Sequence, residues 1–127
     1  MNDIVLYGAS LIVLVHGLIH LMGTATYLKL ATINELPYKT ALLDGRWEIG
    51  DSGIRVFGVV WLIATVIFAV AAYGLAAKQD WWQAVMLIAG ALSLVITVLD
   101  YKVAYAGIVV NIVIIVVTLI NPSVLAG

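Results

Sequence analysis

The first indication of the architecture is the stretch Val56-Phe-Gly-Val-Val-Trp-Leu-Ile-Ala-Thr-Val-Ile-Phe-Ala-Val-Ala-Ala-Tyr-Gly-Leu-Ala-Ala77, which contains no charged residue. At about 1.5 Å of rise per residue, a helix of this length crosses a hydrocarbon core of roughly 30 Å. Three further stretches without Asp, Glu, Lys or Arg lie at residues 4–28, 81–99 and 103–120. The sequence therefore predicts four transmembrane helices.

The composition of the whole chain agrees with this interpretation. Of its 127 residues, 65% are hydrophobic and only 10% are charged, with a mean hydropathy of +1.17, whereas a soluble domain carries about 25% charged residues. The lipid bilayer is therefore the expected surrounding. A net charge of −1 without a basic patch argues against nucleic acid as a partner. The absence of cysteine excludes a disulfide framework and thiolate-bound metal.

The connections between the predicted helices determine how they are arranged. Segments 74–80 and 100–102 are short enough to join only antiparallel neighbours. We expect an all-α integral membrane protein, an up-down-up-down bundle of four transmembrane helices in which residues 1–127 form a single domain. The longer segment 29–55 is expected to contain a short surface helix or hairpin, with Asp51 or Ser52 capping the second transmembrane helix.

Orientation is predicted from the basic residues, because Lys and Arg in short loops favour the cytoplasmic side. Loop 29–55 and the connection near residue 102 share one side of the predicted bundle and hold five of the six basic residues: Lys29, Lys39, Arg46, Arg55 and Lys102. Only Lys78 lies on the other side. We expect a protein of the cell membrane with both termini outside and loop 29–55 cytoplasmic.

A layer of polar residues inside the predicted membrane region is the main functional signal. Each helix contributes at least one residue at a similar depth, and the candidate ligand-binding set is His16, His20, Thr65, Ser93 and Asn111. One interpretation is a structural core in which these groups hydrogen-bond to one another. The other is a ligand site, because ionisable groups within a membrane are costly to bury.

The two histidines allow more specific alternatives. A separation of four residues places His16 and His20 on one helical face, where both could bind one divalent metal ion. Haem is a second alternative, but two ligands on one face of a helix cannot clamp one haem, so bis-histidine ligation would require a dimer.

Charged residues of the loop form a second candidate, a rim that could contact a polar or anionic group. Its members are Asp44, Arg46, Glu48 and Asp51. Mixed charges at a membrane surface are usually solvated or paired. No nucleophile, base and orienting group can be assembled from the chain, so a non-enzymatic role is favoured over catalysis.

Two segments carry a resemblance to known proteins: His16-Gly-Leu-Ile-His-Leu-Met-Gly23 and Asp44-Gly-Arg-Trp-Glu-Ile-Gly-Asp-Ser-Gly-Ile-Arg-Val-Phe57. They resemble those of small prokaryotic four-helix membrane proteins without an assigned function, some of them described as permease-like. In size and helix number the chain is also similar to the DoxX-like group. The resemblance implies a four-helix membrane fold and no particular activity.

Three functions are therefore expected from the sequence, in this order. The first is a membrane protein that binds a small lipid-like or quinone-like ligand, or a transported solute, around His16, His20 and Asn111. The second is a metal or haem redox protein that uses the histidine pair. The third is an accessory subunit of a larger membrane complex. The expected partners are the lipid bilayer and either further copies of this chain or that larger complex.

Overall fold

The computed structural model describes residues 2–120, and they are predominantly helical. The helices are α1 (Asp3–Ile19), α2 (Leu21–Tyr27), α3 (Gly50–Ala76), α4 (Trp82–Leu99) and α5 (Tyr101–Ile120). A two-stranded antiparallel ribbon, β1 (Ala41–Leu42) and β2 (Trp47–Glu48), lies between α2 and α3. Taking α1 and α2 together as Asp3–Tyr27, four helices are long and apolar enough to cross a membrane. The all-helical fold class and the four apolar spans are thus confirmed.

The break between α1 and α2 has a local cause at His20. Its ring donates from Nδ1 to the carbonyl of His16, 2.8 Å away, and this is the carbonyl that the His20 backbone would normally use. The backbone N–H of His20 bonds to Gly17 instead, at 3.1 Å. A side chain that takes the carbonyl acceptor of a backbone i to i−4 hydrogen bond in this way tightens the local helical turn. His20 keeps helical torsion angles, so the two helices form one span.

Helix α3 begins at Gly50, six residues before position 56, where the second transmembrane helix was predicted to start. The predicted start of this helix is therefore wrong. The apolar residues Ile54, Phe57 and Trp61 are buried at helical spacing, so the core-facing stripe continues through the charged segment that contains Asp51. The predicted cap is also wrong. The residue preceding the helix is Ile49, which makes no side-chain capping bond, and Asp51 and Ser52 lie within the first turn.

Helix α3 is the centre of the structure, because α1 and α2 pack on one side of it and α4 on another. Gly17 of α1 lies so close that a Cβ atom there would be 2.6 Å from Cβ of Phe68. Helix α5 packs mainly on α4. Over its described range, α5 buries only Asn111 and Thr118, both polar. The α1/α5 seam is therefore the loosest side of the bundle.

The loop before α3 contains a hairpin, as expected, and is attached to the end of α4. In the ribbon Ala41 pairs with Glu48, and the backbone N–H of Leu43 donates to the carbonyl of Leu99 at 2.9 Å. Helix α5 starts directly after Asp100 and has a non-helical residue at Ala104. We refer to this end of the bundle as the loop end.

Candidate functional site

Four of the five polar residues predicted to share a layer meet between α1, α4 and α5. Nε2 of His16 lies 2.9 Å from Oδ1 of Asn111, and Nε2 of His20 lies 2.5 Å from Oγ of Ser93. The Asn111 amide nitrogen is 2.7 Å from Oγ of Ser93 and 3.3 Å from Oγ1 of Thr97. The expectation that one histidine ring reaches Asn111 is confirmed. We call His16, His20, Ser93, Thr97 and Asn111 the polar cluster.

The donors and acceptors of the polar cluster can be assigned one bond at a time, starting from His20. His20 donates from Nδ1 to a carbonyl, so in a neutral ring its Nε2 accepts the Ser93 hydroxyl proton. Asn111 donates from its amide to Ser93, which leaves Oδ1 to accept from Nε2–H of His16. The two rings therefore carry their protons on different nitrogens. Nδ1 of His16 is left with a free lone pair, since none of the groups between residues 2 and 120 bonds to it.

An open cleft of about 220 Å³ adjoins the polar cluster on the loop side. Its walls come from α1, with His16 and His20, and from α5, with Ala104, Ala106 and Gly107. Glu35, an exposed loop residue, lies at the mouth, and the buried residues Leu36, Trp61 and Thr97 form the inner wall. We call this space the α1/α5 cleft. It is mostly apolar, with a few polar groups, as small-molecule sites usually are.

Trp61 is the member of the cleft that the sequence reasoning missed. Its side chain is 5% exposed, and its indole Nε1–H is buried without a hydrogen-bond partner in the described part of the chain. An unmade bond of a buried donor costs about 1–3 kcal/mol. The signal available in the sequence was its helical spacing of four and seven residues from Phe57 and Ile54, which form the core-facing side of α3.

Thr65 lies apart from the polar cluster. Its hydroxyl donates to the carbonyl of Gly17 at 2.8 Å and so supports the contact between α1 and α3. The structure thus brings together four of the five predicted ligand-binding residues, with Thr97 added.

Metal or haem binding by both histidines would require the hydrogen bonds of the polar cluster to change. The two ring centroids are 5.0 Å apart, but both nitrogens of His20 are already hydrogen-bonded. A metal at His20 would have to displace Ser93 or the His16 carbonyl, because a ligating nitrogen needs a free lone pair. In residues 2–120 no three His, Cys, Asp or Glu side chains are grouped for a metal ion. Metal and haem binding stay predictions.

Three of the four residues of the predicted loop rim are bonded to residues outside the rim. Glu48 accepts from the Thr40 hydroxyl at 2.8 Å, and Asp44 lies 4.0 Å from Lys102. Asp51 accepts from the Tyr38 hydroxyl at 2.6 Å, and this bond raises the pKa of the Tyr38 phenol. Arg46 is exposed. These pairings are the expected behaviour of mixed charges at a surface.

A second polar group, also missed from the sequence, joins the loop to the α4–α5 junction. Asp100 is 2% exposed and accepts from both the Lys39 ammonium and the Tyr27 hydroxyl. Lys39 also lies 3.0 Å from the Tyr27 oxygen. The buried carboxylate is thereby paired and hydrogen-bonded, as a buried charge requires. We call these three residues the Asp100 cluster.

Comparison with known proteins adds no assignment to these geometric findings. No protein-family model, no curated protein and no solved structure matches this chain.

Proposed function

We propose that this chain is an integral membrane protein that binds a small amphipathic ligand in the α1/α5 cleft, next to His16 and Trp61. The observation that carries the proposal is the combination of an open cleft with two unused polar groups in its wall. Among the described residues, Trp61 holds an unpartnered N–H donor that is buried just beneath the cleft surface, and His16 supplies an unpartnered nitrogen acceptor. A ligand group that both donates and accepts, such as a hydroxyl, would complement them.

The membrane arrangement belongs to the same proposal. We place the four spans up-down-up-down in the cell membrane, with the loop end cytoplasmic. Support comes from two ion pairs at different ends: Asp3 lies 3.7 Å from Lys78, and Asp100 binds Lys39. The turn between α3 and α4 is thus beside the start of α1, and the α4–α5 junction is beside the loop. The basic residues favour the loop end as the cytoplasmic side.

The position of the cleft determines which ligands could enter. It lies between two helices that do not pack closely on each other, so a molecule dissolved in the bilayer would reach it sideways. The polar cluster closes the cleft towards the other end, where Leu6, Val13, Phe68 and Met86 form an apolar core. This supports a binding site open at one end rather than a continuous polar path across the membrane.

The test uses 4-ethylphenol, whose hydroxyl both donates and accepts and whose ring is small enough for the cleft. Binding is measured by equilibrium dialysis with protein in phosphatidylcholine nanodiscs, corrected by empty discs. Ala106→Phe should fill the cleft and lower the affinity at least about tenfold, because the ring would compete for the same space. The matched variant is Val109→Phe, which changes an exposed α5 residue outside the cleft. Equal binding by both variants, or no binding by the unmodified chain, would overturn the proposal.

A further inference from the structure

The α1/α5 cleft has an uneven distribution of charge, which bears on the class of ligand that it accepts. Among the described residues that line it, Glu35 at the mouth is the only charged one. Glu35 takes part in none of the ion pairs found between residues 2 and 120. The Lys39 ammonium belongs to the Asp100 cluster. The mouth of the cleft therefore carries a carboxylate whose charge is not compensated by a neighbouring cation of the lining.

The deeper part of the cleft is neutral and aromatic. Apart from Glu35, the lining contains no Asp, Glu, Lys or Arg, and in neutral rings the assigned hydrogen bonds leave the His16 lone pair unused. Trp61 and Met22 contribute apolar surface. A ligand that fits both parts has a neutral polar group near His16 and Trp61, an apolar body, and a positive charge towards Glu35.

We infer that the preferred ligand of the α1/α5 cleft is an amphipathic cation, an amine whose ammonium group pairs with Glu35 at the mouth while its other end enters the cleft. This inference rests on the proposed function, since it adds the charge of the ligand to the same site. An anionic amphiphile would be repelled by Glu35. A neutral one would bind without the contribution of the ion pair.

The size of the preference follows from the exposure of Glu35, whose side chain lies at the surface. An exposed ion pair contributes up to about 1 kcal/mol, so the ammonium ligand should bind about two- to fivefold more tightly than its neutral analogue. The preference should shrink at high ionic strength, because exposed charges are screened by salt.

The experiment compares three probes that share a phenol: tyramine, which is cationic, 4-ethylphenol, which is neutral, and 3-(4-hydroxyphenyl)propanoate, which is anionic. Dissociation constants are measured in phosphatidylcholine nanodiscs, whose zwitterionic surface does not itself concentrate the cation. The order expected for the unmodified chain is tyramine tightest and the propanoate weakest. Glu35→Gln should bring tyramine and 4-ethylphenol to the same affinity. Glu48→Gln removes an exposed carboxylate that is bonded to Thr40 outside the cleft, and it should leave the preference intact.

The outcomes separate this inference from the proposal on which it rests. If 4-ethylphenol binds and Ala106→Phe blocks it, but tyramine shows no preference or Glu35→Gln keeps the full preference, only the inference is overturned. An equal loss of preference in Glu48→Gln would also overturn it, because the effect would then come from general surface charge. If no probe binds the unmodified chain, both fall.

Discussion

Helices α3 and α5 are both long and apolar, yet they are held in the structure by different forces. Helix α3 buries eleven residues between Ile54 and Leu75 and contacts α1, α2 and α4. Helix α5 packs mainly on α4. The two residues that it buries between Tyr101 and Ile120 are polar, Asn111 and Thr118. In lipid, helix association depends on close contact and interhelical hydrogen bonds rather than on hydrophobic burial. The difference indicates that α3 supports the bundle, whereas α5, which packs on α4, forms one wall of a cleft.

The largest expected effect comes from disturbing the contact of α1 with α3. Gly17→Leu would place side-chain atoms where Phe68 already lies, since even a Cβ atom would be 2.6 Å from Phe68 Cβ. We expect a loss of about 3 kcal/mol in the free energy of unfolding, measured by SDS titration in mixed micelles. Gly8→Leu is the matched control, because a Cβ there meets no atom of the described residues within 4 Å. Equal stability of the two variants would contradict the central position of α3.

The next effect concerns the Asp100 cluster, which fixes the start of α5 to the loop. Lys39→Met leaves the buried Asp100 carboxylate with the Tyr27 hydroxyl but without its cation. We expect a loss of about 2 kcal/mol, less than for a fully buried pair because the Lys39 side chain is 29% exposed. Lys78→Met removes an exposed partner of Asp3 and should be nearly neutral in the same titration. A neutral Lys39→Met would show that the loop does not hold α5.

A smaller effect is expected at the hydrogen bond that joins α5 to α1. Asn111→Leu removes the partner of His16 and two donated bonds to α4, to Ser93 and Thr97. The expected loss is about 1–2 kcal/mol, the upper part of the range for interhelical hydrogen bonds in membranes. Thr118→Val should cost much less, because Gln83 bonds to the Thr118 backbone carbonyl, which the substitution retains. If the control loses as much as Asn111→Leu, the bridge to α1 is not what holds α5.

The smallest change in stability is expected at Trp61. Trp61→Phe removes an N–H that has no partner among residues 2–120. The free energy of unfolding should therefore change by less than about 1 kcal/mol, because removal of the buried donor offsets the lost contact area. The affinity for 4-ethylphenol should nevertheless fall about fivefold, because the ligand would lose one hydrogen bond. Unchanged affinity in the dialysis measurement would mean that Trp61 does not contact the ligand.

The sequence predicted the spans and the polar cluster because both depend on local patterns. A stretch of 18 or more residues without charged side chains indicates a helix that can cross lipid. The four-residue spacing of His16 and His20 places both rings on one helical face. The start of α3 was misplaced because charge marks the edge of the apolar region rather than the end of a helix. Ile54 and Phe57 continue the buried stripe between the charged residues.

The remaining features depend on tertiary proximity that no local pattern encodes. Lys39 and Asp100 are 61 positions apart, and many other loop residues could have served as the partner of Asp100. The unpartnered state of the Trp61 indole depends on where α5 and the loop lie relative to α3. Likewise, the α1/α5 cleft exists because two specific helices pack loosely, which the apolar composition of α5 alone does not reveal.

The most direct test of the α1/α5 cleft as a ligand site is protection of introduced thiols, which the cysteine-free chain permits without background. Ala106→Cys and Val109→Cys place thiols at two exposed positions of α5, of which only position 106 lies in the cleft wall. Alkylation by N-ethylmaleimide is followed in nanodiscs with and without saturating 4-ethylphenol. We expect the ligand to slow alkylation at position 106 at least about fivefold and to leave the rate at position 109 unchanged, because a bound molecule shields only the cleft. Equal rates at position 106 with and without the ligand would contradict it.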